Sequence, residues 1–344
     1  MNICFLMYPW HRIDPESDTS IRLIHECVAR EHRVAITTPS NLTIRDSVAH
    51  AFCDVIAPMK VTASVPAFYR KAKFNHRKLP LSGFDAIFMR VNPPLDSLSL
   101  NFLDQVRADT FICNDIDGLR VANNKLYTAS FYDPGNSFIP ITHVSKNREY
   151  LERVISESDR ERMILKPLNG YGGRGVIVLE KSAKTSLRSL LDFYIGEGEE
   201  TNYVILQEFV KGAENGDIRV LMLNGEPIGA MRRVPAAGEA RSNVHVGGTA
   251  VKHTLTREEK ALCKVIGPQL VRDGLFFVGL DIISGKLIEV NVLSPGGITR
   301  INRLNRVKLQ ANVIDFVESM VTSRERLLTR KSHYRKVIED AHTS

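Results

Sequence analysis

ILKPLNGYGGRGVIVLEK, residues 164–181, holds Gly170-x-Gly172-x-x-Gly175, a spacing shared with dinucleotide-binding turns. That fingerprint needs a strand before the glycines and a helix after them, so that the helix N-terminus meets the pyrophosphate. Here the exit is Val176-Ile177-Val178-Leu179, a β-branched run that favours a strand. The entry, Ile164-Leu165, is strand-like too. The stretch therefore reads as a β-hairpin with a glycine-rich tip, and a nicotinamide-dinucleotide enzyme is rejected. Lacking Cβ atoms, backbone N–H groups at such a tip can approach phosphates closely. Lys166, on the strand just before the tip, would supply a point charge. On the glycines alone an ordinary long hairpin loop is the simpler reading, so phosphate binding needs support from elsewhere in the chain.

That support comes from FVGLDIISGKLIEVNVLSP, residues 277–295. If Ser284-Gly285-Lys286 forms a three-residue turn, Asp281 stands opposite Glu289, and Asn291 shares the face of Glu289. Two carboxylates and an amide oxygen then converge on otherwise apolar strands, a costly arrangement unless something satisfies them. Hard oxygen ligands suit Mg²⁺, especially Mg²⁺ already carrying nucleotide phosphates. The alternative is the wet side of an edge hairpin, and the central-strand character of the flanks weighs against it. Arginines crowd the same region. Asp217 and Arg219 share one strand face, Arg232 and Arg233 end the next strand, and Arg241 and Asn243 lie in a second glycine-rich loop, 235–249. Arginine is suited to bidentate recognition of carboxylate or phosphate. The grouping makes phosphoryl transfer the better account.

The wider chain is compatible with that chemistry. Its 344 residues are 43% hydrophobic and 25% charged, enough for two or three domains or lobes. No apolar run reaches the roughly 18 residues of a membrane span, and the N-terminus lacks the features of a signal peptide. The five cysteines are scattered without a CxxC pair, which points to reduced thiols in a cytoplasmic protein. No histidine pair has zinc-ligand spacing. A net charge of +7 favours an anionic partner. The densest basic stretch, 324–336, holds six Lys/Arg but one aromatic residue, so nucleic-acid binding is the weaker reading beside nucleotide phosphates.

Residues 1 to about 120 alternate strand and helix, which argues for a parallel sheet covered by helices. Residues 60–80 are basic and unpatterned and read as a surface excursion, and 117–132 reads as one helix. From 217 onward the chain is strand-rich, with a hairpin signal at Asn224-Gly225.

With these residues in hand, the chain resembles the ATP-grasp carboxylate–amine ligases, and among them the bacterial glutathione synthetase family, over roughly residues 1–320. FMRVNPPLD (88–96), NKLYT (124–128), ILKP (164–167), LQEFV (206–210), the run from Gly216 to Thr249 and the 277–295 hairpin carry the resemblance. It implies an α/β protein: an ATP-grasp fold of α+β lobes preceded by a Rossmann-like parallel-sheet N-terminal domain. The expected divisions are 1–123, a small lobe 124–200, a large lobe 201–322 and a basic C-terminal helix or tail 323–344. The implied cofactors are ATP and Mg²⁺, with Mn²⁺ as an alternative metal. Lys125, Lys166 and the tip glycines Gly170, Gly172, Gly173 and Gly175 would hold phosphates. Gln207, Glu208, Phe209 and Val210, on a strand like the family's interdomain strand, would hydrogen-bond the adenine edge through the backbone. Asp281, Glu289 and Asn291 would ligate the metal. Arg233 would neutralise the polyphosphate, and Arg219, Arg241 and Asn243 would serve substrate carboxylates and catalysis, with 235–249 closing as a lid. The implied substrates are γ-glutamylcysteine and glycine, joined through an acyl phosphate; the implied assembly is a homo-oligomer without a membrane partner. Gly296-Gly297 and the Tyr8–Trp10 segment depart from the family pattern where it meets substrates. A different donor or amine, a nucleotide-binding protein without turnover, and nucleic-acid binding through the basic tail are the alternatives.

Overall fold

The computed structural model describes residues 1–168, 175–181, 184–196, 201–235 and 248–343, with backbone alone at 184–187, 337 and 339–343. The chain divides into two units, Met1–Asn92 with Asp96–Ile116 and Val307–Ser344, and Pro93–Leu95 with Asp117–Arg306.

In the first unit, β1 (Asn2–Met7) and β2 (Arg33–Thr37) flank helix α1 (Thr19–Ala29). The Asp18 side chain caps α1 by accepting from the Ile21 amide. An antiparallel insert follows: β3 (Leu42–Arg45), β4 (Val48–Ile56), α2 (Val65–Lys71) and β5 (Phe74–Pro80). The parallel core resumes with β6 (Ala86–Arg90), α3 (Ser97–Asp104) and β7 (Phe111–Cys113). The seven-stranded sheet runs β3-β4-β2-β1-β6-β7, with β5 paired to β4; β2, β1, β6 and β7 are parallel. Unbroken apolar runs form β1 and β6 because both faces of a parallel sheet are covered, and Phe5 stacks on Phe88 at 4.8 Å between ring centroids. Residues 60–80 differ from expectation. Ser64 caps α2, and β5 pairs with β4 from Pro80–His50 to Phe74–Ile56. The polarity of this segment is that of an edge strand, where charge guards unpaired backbone. Tyr8 donates to Asp18, and Trp10 stacks on Tyr69, so both are engaged within the unit. All five cysteines are buried and free of disulfides.

The second unit opens with α4 (Ile116–Ala122) and α5 (Leu126–Ala129), two short helices in place of the single one expected over 117–132. A four-stranded antiparallel sheet, β10-β9-β11-β8, follows. Its members are β8 (Thr142–Ser145), β9 (Arg162–Pro167), β10 (Ile177–Glu180) and β11 (Val204–Glu208). Helices α6 (Arg148–Glu157) and α7 (Lys184–Ile195) accompany it, and Leu151, Leu165, Leu191 and Leu206 form its core. β9 and β10 pair from Leu165–Ile177 to Arg162–Glu180, the two arms of the hairpin read from the glycine stretch. The tip, with Gly170, Gly172 and Gly173, lies outside the described residues.

The second sheet is β14-β13-β12-β15-β16, built from β12 (Asp217–Leu223), β13 (Glu226–Val234), β14 (Thr249–Lys252), β15 (Phe277–Ile283) and β16 (Lys286–Asn291). Helices α8 (Arg257–Arg272) and α9 (Ile298–Asn305) complete this unit. The chain then returns to the first unit through α10 (Leu309–Thr343). There Arg30 pairs with Asp315 at 2.6 Å and Glu318 at 3.0 Å. One 35-residue helix passes through position 323, so the segment expected as a basic C-terminal helix or tail is helical where it is described. No described helix is long and apolar enough to cross a membrane.

Candidate active site

Two hairpins of the five-stranded sheet are built in the same way. Asn224 (φ 48°) and Gly225 (φ 82°) form one two-residue turn, and Ser284 (φ 46°) and Gly285 (φ 77°) form the other. Positive φ at both positions marks the turn type that matches strand twist. Left alone, such turns would place Arg232 opposite Asp217 and Ile288 opposite Asp281. Each hairpin instead carries one irregularity, between Leu221 and Met222 and between Asp281 and Ile282. The pairs become Asp217–Arg233 and Asp281–Glu289. The expected Asp281–Glu289 pairing is present, but a bulge on a two-residue turn produces it in place of a three-residue turn.

Because Arg219 pairs with Asp281 across β12 and β15, charged side chains cross the sheet on one face. Arg233 donates through Nε to Asp217 Oδ1 at 2.9 Å and through Nη2 to Asp217 Oδ2, and its Nη2 lies 2.9 Å from Asp281 Oδ1. Arg219 grips Asp281 with Nε–Oδ1 2.6 Å and Nη2–Oδ2 2.9 Å, while its Nη1 donates to the Gly296 carbonyl at 3.3 Å. Asn291 Nδ2 adds a 3.2 Å bond to Asp281 Oδ2, and Lys125 Nζ lies 3.1 Å from Glu289 Oε1. Asp217, Arg219, Arg233 and Asp281 are all buried. Burial pushes the Asp281 carboxyl up, but Arg219 and then Arg233 outweigh it by charge and hydrogen bonding and hold it at about 2. Gly279 makes room for this: a Cβ there would sit 3.3 Å from both Cδ and Nη1 of Arg219.

Two carboxylates and an amide oxygen are hard donors that fit Mg²⁺ or Mn²⁺. Among the described residues no three His, Cys, Asp or Glu side chains gather as a metal site. In the protein alone, Arg219, Arg233 and Lys125 supply the cationic charge facing these donors.

The lysines come from elsewhere in the same unit. Lys166 on β9 is 6% exposed and donates to Gln207 Oε1 at 3.0 Å. Gln207 Nε2 donates in turn to Thr142 Oγ1 at 2.8 Å, which fixes the amide with its oxygen toward the lysine. Burial lowers the Lys166 pKa to about 8; Glu289 raises it and Lys125 lowers it further, so the two lysines and the glutamate share one electrostatic neighbourhood. In the 207–210 segment, Glu208 N–H donates to Ile141 O at 2.9 Å and Phe209 N–H to Arg162 O at 3.4 Å. The Arg162 guanidinium lies 4.1 Å over the Phe209 ring.

The structure thus brings together Lys125, Lys166, Arg219, Arg233, Asp281, Glu289 and Asn291. Arg219 meets Asp281 and the Gly296 carbonyl. Gly175 is described at φ 69° and its carbonyl accepts from Tyr194 Oη at 2.8 Å. Arg241, Asn243 and nearly all of the second glycine loop lie outside the described residues. Sequence reading missed the part of Asp217 in the ladder, the side chain of Gln207 as the Lys166 partner, and Gly279. The alternation Asp217-x-Arg219 held the signal for the first; nothing local marks the other two.

Comparison with known proteins identifies the family. The N-terminal domain model of the prokaryotic glutathione synthetases matches residues 1–120, and their ATP-grasp domain model matches 124–306. A glutathione synthetase of Thermosynechococcus vestitus is 35% identical over 329 residues, covering 93% of this chain and 100% of the relative. One from Gloeobacter violaceus is 34% identical over 326 residues, covering 92% and 96%. Among solved structures, the ATP-grasp ligase PsnB, complexed with a minimal precursor, Mg and ADP, superposes with a TM-score of 0.59 at 15% identity, over 93% of this chain and 98% of PsnB. At that identity the likeness concerns the fold.

Proposed function

This chain belongs to the prokaryotic glutathione synthetase family, and we propose that its second unit carries out the family's reaction with the charged ladder on the five-stranded sheet. It is an ATP-dependent ligase that forms glutathione from small-molecule substrates. The observation that carries the site assignment is the Arg233–Asp217, Arg219–Asp281, Glu289–Lys125 sequence of contacts, which falls wholly inside the matched 124–306 segment.

The carboxylate of γ-glutamylcysteine attacks the γ-phosphorus of ATP, giving an acyl phosphate and ADP. The amine of glycine then attacks the acyl carbon, forming the amide and releasing phosphate. Such chemistry asks the protein for positioning and charge stabilisation. A bound divalent ion, Mg²⁺ in our reading, supplies charge neutralisation over the polyphosphate, and Asp281, Glu289 and Asn291 would hold it. Arg219 and Arg233 keep Asp281 ionised and fix the aim of its oxygens. Lys125 and Lys166 receive phosphate oxygens. With the Glu208 and Phe209 amides already used, the adenine edge falls to Val210 N–H within 207–210. The roles of Gly170, Gly172, Gly173, Arg241 and Asn243 rest on the resemblance alone. We further propose a cytoplasmic homo-oligomer. ATP-dependent phosphate release requiring both γ-glutamylcysteine and glycine, with glutathione as product, is the expected assay result. Release with another amine would move the acceptor, and no release with any pair would sink the reading.

Nucleotide binding should also consume protons. A polyphosphate beside Lys166 restores its charge and lifts its pKa from about 8. Calorimetric titration of ADP at pH 8.5 in buffers of differing ionisation enthalpy should show proton uptake that is absent at pH 6.5 and absent in Lys166→Met. Without nucleotide, the lowered pKa means that Lys166 weakens the fold below pH 8. That penalty disappears as pH rises toward the unfolded value of about 10.4, because the unfolded chain then binds more protons.

A further inference from the structure

α5 is a single helical turn, too short to hold its place by its own hydrogen bonds, yet it carries Lys125 at its N-cap. Its position comes from contacts at Lys125, Tyr127 and Thr128. Lys125 N–H donates to Leu168 O at 3.3 Å, just beyond the β9 strand that carries Lys166. Tyr127 Oη donates to Asp273 Oδ2 at 2.7 Å, at the C-cap of α8. The Val290 amide donates to Thr128 Oγ1 at 3.1 Å in a buried contact. β16 is the last strand of its sheet, so the Val290 N–H points away from β15 and needs a partner off the ladder. Thr128 provides it between Glu289 and Asn291.

We propose that Thr128 is a positioning residue for metal–nucleotide binding: its hydroxyl fixes the β16 backbone so that Glu289 and Asn291 face the metal while Lys125, three residues earlier, faces the phosphates. The inference rests on the metal–nucleotide reading of this site. A valine at 128 keeps shape but leaves the amide unsatisfied; a serine keeps the hydroxyl.

The test measures ADP affinity by calorimetry in EDTA and in saturating Mg²⁺, alongside thermal melting. The wild type gives a Mg²⁺-dependent gain in affinity. Thr128→Val should lose about tenfold of that gain, equivalent to about 1.4 kcal/mol, with little change in EDTA, and Thr128→Ser should keep it. A Val variant that melts earlier but retains the full gain would show a merely structural hydroxyl and overturn the proposal. Loss of the gain in Thr128→Ser would overturn it as well, and this variant serves if Val does not fold. Absence of any Mg²⁺-dependent gain in the wild type would bring down the underlying reading together with this one.

Discussion

Asp281→Asn is expected to lower turnover by about 10²–10³-fold while leaving a folded protein. The substitution preserves shape but removes the charge that faces two guanidinium groups, Arg219 and Arg233, in a buried setting. It also replaces a hard anionic donor by a neutral one, and loss of one preorganised electrostatic group costs on the order of 10²–10³ in rate. Stability should fall as well. Breaking a buried pair costs roughly 3–5 kcal/mol, and the lower end applies because Arg233 keeps Asp217. The pH dependence separates the two effects. The folded carboxyl titrates at about 2, below its unfolded value of about 3.9. Its contribution is therefore complete above pH 4 and is lost as pH falls toward 2. Urea unfolding from pH 5 to 2.5 should show a slope in the wild type that is shallower in the variant. Turnover within threefold of wild type would remove Asp281 from the chemistry.

Gly216→Ala should destabilise the second unit by more than about 4 kcal/mol, whereas Gly285→Ala should cost about 1 kcal/mol. Both glycines have φ values that strain any residue with a Cβ, 93° and 77°. They differ in surroundings. A Cβ on Gly216 would lie 1.9 Å from the Arg233 carbonyl oxygen, which is backbone and cannot swing aside, whereas nothing lies within 4 Å of one on Gly285. Gly216 lets β12 begin beside β13 so closely that Asp217 and Arg233 meet, and the alanine pushes that rung apart. Urea unfolding of both variants checks the contrast. Equal losses would mean that backbone strain, common to both, accounts for everything.

The core of the site was legible because strands alternate. Asp217 and Arg219, and Glu289 and Asn291, had to share faces once the strands were recognised, and apolar flanks placed them inside. Which residue stood opposite which was only partly legible. A turn sequence such as Asn224-Gly225 fixes the loop but not a bulge two or three residues away, and that bulge decides that Arg233 and not Arg232 meets Asp217. The partners of Lys166 were invisible for another reason. Gln207 lies 41 residues downstream, and only the antiparallel pairing of β9 with β11 brings it near. The segment 60–80 misled because an edge strand and a loop are both polar.

The return of α10 to the first unit means that order of synthesis and order of completion are opposed. The second unit is nearly continuous, Asp117–Arg306, but the first has to wait for Val307 onward. At roughly 5–20 residues per second, a ribosome releases every residue of the later-coded unit seconds before the earlier-coded one receives its closing helix. Through that interval the nascent Arg30 lacks Asp315 and Glu318, the carboxylates it pairs with in the finished protein.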